Sequence, residues 1–392
     1  MQGFAGTLAA SEPNAALIGR DVLAGNGNAV DAAVAMGFAM TVTQPSRAGL
    51  GGGGACLVRQ REGEGATAVV FPPVAEAEGG VVPLMARGLA ALHGRFGSQR
   101  WALLVAPAED LARAGFTMTR AFRQDVIAAR TTVAADPGLA AAFLTEAGEP
   151  KAIGDPVLQP ALASILAGIG QRGITYLTTP PFSRRLVDAT AAGPLRLTVE
   201  ALRNRVPTLS EAIALPAGDD TLYLPGGADP AGPMTAELWR QSAAGGEQAL
   251  PLSGVGLAEG GAGFVVADSR GTTVACSFSM NGLFGTGRTI AGTGLIMARP
   301  PQEAVPLAVG IIAATKATRV AVSAGAGYAA PALLARTLAA GQATLGDPAA
   351  ALARVTAAPG DIPLQALSCA GGQESCTAAT DQRAAGLAVS LR

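Results

Sequence analysis

The chain of 392 residues contains a single histidine, His93. One imidazole leaves no histidine-rich metal site, and any Ser-His or Cys-His catalytic pair would have to be built on that residue. Charge is scarce as well. Only 15% of residues are Asp, Glu, Lys or Arg, and 28 basic against 29 acidic side chains give a formal net charge of −1. Without a cluster of Lys and Arg, a nucleic-acid backbone finds nothing to hold, so nucleic acid is not an expected partner. No run of about 18 uncharged apolar residues occurs, and no membrane-spanning segment is expected. The N-terminus lacks a basic start followed by an apolar stretch, so no signal peptide is legible, and the chain reads as cytoplasmic or as a mature or re-cut form.

Apolar residues, by contrast, make up 49% of the chain, with 52 Gly and 26 Pro. That is too apolar for disorder and long enough for a large core, in one large domain or two to three ordinary ones. Cys56 and Cys276 lie in apolar alternating runs and read as small buried hydrophobes. Cys369 and Cys376 bracket the Gly-rich loop Ala370-Gly371-Gly372-Gln373-Glu374-Ser375. That spacing suits a local disulfide in an oxidising compartment, with two free thiols as the alternative.

Residues 14–24 and 28–43 read as helices, the second with Val30, Val34 and Phe38 at every fourth position and Asn28 as cap. Gly25-Asn26-Gly27 forms the turn between them, and Pro45 ends the second. Strands are expected at 55–59 and 67–71, mostly helix from 83 to 170 with breaks near Gly97, Gly115 and Pro137, and a strand at 219–224. Residues 264–267 and 273–278 form a hairpin across Asp268-Ser269-Arg270-Gly271. A strand at 319–323 runs into Ala324-Gly325-Ala326-Gly327 and then a helix over about 330–340. Helices first and hairpinned strands later indicate an α+β fold with antiparallel sheets covered by helices.

Local motifs alone assign no chemistry. The glycine run at 49–54 has no Lys-Ser or Lys-Thr after it and enters a strand, so it reads as a tight backbone crossing rather than a phosphate loop. Ser253 and the pair Thr272-Thr273 are hydroxyls without a base nearby in sequence.

Taken together, however, the stretches follow a known order. Gly25-Asn26-Gly27-Asn28-Ala29-Val30-Asp31-Ala32-Ala33-Val34-Ala35 resembles the "GGNAVDAAVA" helix start of the γ-glutamyltransferase family, and the 45–54 run resembles its "EP..SGIGGGG" loop. Val82-Pro83 through Trp101 and Gly115-Phe116 are similar to its "VPG…YG…W…GF" helices, and Gly154-Asp155-Pro156-Val157-Leu158-Gln159-Pro160 to its "GDxLxQPxLA". Phe284-Gly285-Thr286-Gly287 with Gly292-Thr293-Gly294 resembles "FGSG…GTG", and residues 379–386 resemble "ADPRxxG". The resemblance implies the four-layer αββα sandwich of N-terminal-nucleophile hydrolases, a helix-rich first half, and no cofactor. It implies a single domain over 1–392, with 1–260 in the large-subunit region, shortened near 242–255, and 261–392 in the small-subunit region. It also implies glutathione metabolism and an exported or periplasmic protein, against the missing signal peptide.

Members of that family cut their own precursor before a threonine, whose hydroxyl then attacks a γ-glutamyl amide with its α-amine as base. The matching stretch here is Gly261-Ala262-Gly263-Phe264-Val265-Val266-Ala267-Asp268, with register fixed by Asp268 and by Asn281 downstream. Glycine therefore stands at the nucleophile position. Pro72 stands where the family's carboxylate-binding arginine is expected, and Ala308 and Val309 where it has paired serines. Possible remnants of substrate binding are Asn281, Glu303 in place of an aspartate, and the backbone of Ala326 and Gly327 in place of an oxyanion Gly-Gly pair. The leading expectation is a catalytically degenerate family member that binds a γ-glutamyl-like small ligand or stabilises a protein partner. The alternative is an active amidohydrolase or transferase with an altered nucleophile, Ser253 being the nearest upstream hydroxyl. Rebuilding Thr-Thr-His at 261–263 would be expected to restore self-cleavage without substrate turnover.

Overall fold

The computed structural model describes residues 4–61, 65–191, 195–243, 261–355, 363–382 and 385–391. Alternating apolar runs build two antiparallel sheets that pack face to face. The first has seven strands in the order Leu387–Leu391, Gly6–Ala10, Ala262–Asp268, Thr273–Ser279, Gly53–Arg59, Thr67–Phe71 and Thr208–Glu211. The second has six, in the order Cys376–Thr380, Gln365–Cys369, Thr318–Ala326, Leu307–Ala313, Asp220–Leu224 and Ile213–Ala217.

The period of two sorts the side chains into layers. Along Ala262–Asp268, Phe264 and Val266 point to the helices that cover the first sheet, whereas Val265 and Ala267 point between the sheets. Val309 and Ile311 meet them there from the second sheet. On the far face of that sheet, Ile312, Val320 and Val322 pack against Leu334, Leu338 and Leu352 of the helices Ala330–Ala343 and Pro348–Val355. The result is the expected αββα sandwich. Among the described residues, no helix is long and apolar enough to cross a membrane.

Helix Ala29–Thr43 lies on the first sheet with all fifteen residues buried. Asn28 caps it as expected: its side chain accepts from Asp31 N at 2.8 Å, while the Asp31 carboxylate accepts from Asn28 N at 3.0 Å. Burial alone would raise the pKa of Asp31, but hydrogen bonds led by Ser98 hold the carboxyl below its ordinary value. Asp268 ties the hairpin to the same helix end. One carboxylate oxygen accepts from Ala29 N at 2.8 Å and the other from Arg270 N and Thr272 N at 2.9 and 3.0 Å.

The cysteines correct one expectation. Cys56 and Cys276 are fully buried but not free thiols; they form a disulfide between directly opposed residues of neighbouring strands, 220 positions apart in sequence. Each run read alone as a buried strand, and only strand pairing sets the two sulfurs side by side. Of the alternatives for Cys369 and Cys376, the structure has the disulfide. Several strands escape a sequence reading, among them Gly6–Ala10, Leu307–Ala313 and the three C-terminal strands.

Candidate functional site

Gly261 immediately precedes the Ala262–Asp268 strand, where it enters the space between the sheets. Opposite lies Ala326, the last residue of Thr318–Ala326. A Cβ placed on Gly261 would fall on Ala326 N, with Ala326 Cβ at 2.5 Å and Cα at 2.8 Å. The room a side chain would need is occupied by main chain. Position 263 is closed in the same way: a Cβ on Gly263 would fall on Ser323 Oγ and on the carbonyl of Cys276, to which Ser323 Oγ donates at 2.8 Å. Ala262, between them, faces the helices.

The other candidate residues surround this gap unevenly. Gly327 follows Ala326 directly, and its N–H donates to Pro306 O at 3.0 Å, so this donor is already engaged. Ala308 and Val309 are fully buried on opposite faces of their strand, Ala308 toward the helices and Val309 between the sheets. Glu303 is exposed, and its carbonyl accepts from Tyr328 Oη at 3.4 Å. Asn281, only 6% exposed, donates from Nδ2 to Pro73 O at 2.7 Å and to Arg299 O at 2.8 Å. Both amide protons thus hold loops together. One of those loops carries Pro72, half-buried, against Gly53. A Cβ on Gly53 would lie 2.9 Å from Pro73 N and 3.0 Å from Pro72 C, which is the tight crossing expected of the glycine run. The structure therefore brings Gly261, Ala326 and Gly327 together, and Asn281 to the Pro72 loop. Ser253 lies outside the described residues.

Charged groups that the sequence did not single out reach Gly261. Arg47 Nη1 donates to Gly261 O at 3.4 Å. Its Nε and Nη2 grip Asp125, with Nη2 to Oδ1 at 2.7 Å, and the two side chains are 11% and 3% exposed. Ser46 Oγ donates to Asp125 Oδ2 at 2.6 Å and Gln44 Nε2 to the same oxygen at 3.4 Å. Gln44 Oε1 accepts from Ser11 Oγ at 3.2 Å, and Ser11 Oγ accepts from Gly263 N at 3.3 Å. A buried polar chain thus runs from the helix Arg120–Ala128 to the strand behind Gly261. Ser46 and Arg47 sit inside the 45–54 run, but no local signal connects them to Asp125, 79 and 78 positions away. Beside this chain Glu12 is fully buried; desolvation raises its pKa despite hydrogen bonds from Thr43, Ala15 and Asn14. His93 takes no part: its Nε2 meets Gln99 O at 2.8 Å and its ring packs on Trp101. Among the described residues no group of three or more His, Cys, Asp or Glu could hold a metal ion.

Comparison with known proteins places this arrangement. The glutathione hydrolase proenzyme of Escherichia coli (strain K12) is 31% identical over 191 residues, 43% of this chain and 33% of that protein. That of Bacillus subtilis (strain 168) is 30% identical over 239 residues, 54% and 40% respectively, and the acylase ACY 1 proenzyme of Pseudomonas sp. (strain V22) is 30% identical over 218 residues, 48% and 39%. The matches to these relatives span 33 to 40% of their length. Among solved structures, the cephalosporin acylase from Bacillus halodurans superposes with a TM-score of 0.79 at 16% identity, over 99% of this chain and 96% of that one. The γ-glutamyltranspeptidase of Helicobacter pylori gives 0.54 at 22% identity over 62% and 76%. These likenesses show a shared fold, that of the N-terminal-nucleophile hydrolases. The gamma-glutamyltranspeptidase family model matches residues 15–78 and 70–232, more than half of the sequence, and the chain belongs to that family.

Proposed function

We propose that this chain keeps the scaffold of its family without the family's covalent chemistry, and serves as a non-catalytic subunit that binds a small γ-glutamyl-like ligand or steadies a protein partner. The observation that carries the reading is Gly261. It has no hydroxyl, and the space its side chain would fill is taken by the Ala326 backbone. Three further features point the same way: the Gly327 N–H is engaged with Pro306, both Asn281 amide protons are engaged with backbone carbonyls, and Pro72 offers no guanidinium. A nucleophilic mechanism needs an activated hydroxyl, an oxyanion donor and an anchor for the substrate carboxylate. Each of the three is missing or already occupied among these residues.

The relatives above are named proenzymes; this chain is expected to remain uncut at position 261. The test has two readouts on the purified protein: a reducing denaturing gel with N-terminal sequencing, and release of amine from a γ-glutamyl anilide. One band and no release, several orders of magnitude below an active relative, is the expected result. A new N-terminus at Gly261, or turnover within about tenfold of an active relative, would overturn the proposal.

A further inference from the structure

A cleft of about 340 Å³ opens between the helix Pro137–Phe143, the start of the helix Pro160–Arg172 and the ribbon at 289–296. Its walls are fixed. Leu139, Phe143, Leu162 and Ile296 are buried, and the Phe143 ring packs on Phe122 and Phe284 with centroids 5.0 and 5.8 Å apart. Thr289 is held on the other side: its N–H and Oγ1 both bind the Asp136 carboxylate, at 3.1 and 2.9 Å. Gly138 makes that approach possible, because a Cβ there would lie 2.6 Å from Thr289 Oγ1. Among the described residues, no charged side chain lines the cleft.

Two polar features line it. Gln159, 8% exposed, donates from Nε2 to Val42 O at 2.7 Å. That bond fixes the amide's orientation and turns Oε1 away from Val42, with no protein donor for it among the described residues. Gln159 also precedes the helix Pro160–Arg172 without capping it, so the first N–H groups, at Ala161 and Leu162, point forward uncapped. An acceptor and donors therefore stand side by side in an apolar cavity whose size falls in the range of small-molecule sites.

We propose that this cleft binds an uncharged small molecule with a carboxamide on an apolar body. The ligand N–H donates to Gln159 Oε1, its carbonyl accepts from the helix N–H groups, and its body packs on Leu139, Phe143 and Ile296. A carboxylate would face the Gln159 oxygen, and an ammonium would face the positive end of the helix. Either ion would lose its hydration with no counter-charge in the walls. The site does not depend on whether Gly261 is inert, since it is read by binding alone.

Benzamide, with benzoate as its charged isostere, is the probe, titrated into the whole chain by calorimetry. Saturable benzamide binding is expected, with benzoate about tenfold weaker or worse. Ala141→Trp, on an exposed wall position that leaves folding intact, fills the cleft and should weaken benzamide by more than about tenfold at an unchanged melting temperature. Gln159→Leu, which keeps the cavity but removes the acceptor, should weaken it about tenfold. Absence of saturable benzamide binding, equal affinity for benzoate, or wild-type affinity in Ala141→Trp would overturn the proposal.

Discussion

Placing threonine at position 261 is the sharpest perturbation of the site. At an ordinary strand position, glycine to threonine is favourable by up to about 1 kcal/mol, because a β-branched side chain suits the pleated backbone. Here the new Cβ would meet Ala326 Cβ at 2.5 Å and Cα at 2.8 Å, well inside the 3.4 Å at which ordinary contact begins. Both obstacles belong to a residue of the second sheet that is fully buried. Overpacking a closed core costs about 1–3 kcal/mol, and main-chain obstacles put this site near the upper end. The steric term outweighs the propensity gain. At about 2.1 cal/mol/K per residue, unfolding 392 residues carries an entropy of about 0.8 kcal/mol/K, so a loss of about 3 kcal/mol lowers the melting temperature by about 4 °C. Adding Ala326→Gly removes the nearer carbon and leaves the backbone, so recovery should be partial, with a coupling of about 1 kcal/mol between the two positions. Thermal melts of the wild type, both single variants and the double variant measure this directly. A Gly261→Thr protein that melts within about 1 °C of wild type would refute the crowding at this site. The same geometry changes the expectation for Thr-Thr-His at 261–263: with position 263 closed by Ser323 and Cys276, the triple variant should be destabilised and remain uncut.

Asp229 offers a pH test. Burial pushes its carboxyl up to about 7, against hydrogen bonds from Ala231 N and Leu307 N, and its second oxygen has no partner among the described residues. The folded state therefore keeps a proton that the unfolded chain releases from about pH 4 upward. Its contribution to stability is full below the unfolded pKa and is lost as pH rises through about 7, up to about 4 kcal/mol in all. Chemical denaturation from pH 4 to 8 should show Asp229→Asn without that fall, and parallel profiles for the two proteins would contradict it. For the buried Arg47–Asp125 pair, Asp125→Ala should cost about 3–5 kcal/mol, and the double variant Arg47→Leu/Asp125→Leu distinctly less, since a partnered buried charge is removed with its counter-charge. Urea midpoints of the two variants test the order.

Much of the fold is legible where sequence chemistry is local. The helix Ala29–Thr43 declares itself through Asn28 and its apolar spacing, and the hairpin after Asp268 through Gly271, which sits at φ 92°. The edge strands Thr208–Glu211 and Leu387–Leu391 are short and only partly buried, so alternation is weak in them. For the site, Gly261 and Ala326, singled out from motifs far apart in sequence, lie against one another in the fold. What spacing does not convey is engagement: Asn281 matches a polar substrate contact in sequence, yet its protons go to carbonyls of Pro73 and Arg299, which only the folded loops bring near. Arg47 and Gln159 were hidden for the same reason, since their partners Asp125 and Val42 come from remote helices.

The bridge between Cys56 and Cys276 straddles position 261. Every peptide bond from residue 56 to 276 therefore lies within a covalent ring. A protease that opened this ring once, at 261 or elsewhere, would yield a product of unchanged hydrodynamic size and of mass greater by one water. Its two pieces would separate only on reduction. Gel filtration would pass such a nicked protein as whole, and a mass measurement would register only the added water. The strands carrying the two cysteines would also stay fastened to each other after the loss of backbone continuity, so integrity of the peptide and integrity of the molecule are separate properties in this protein.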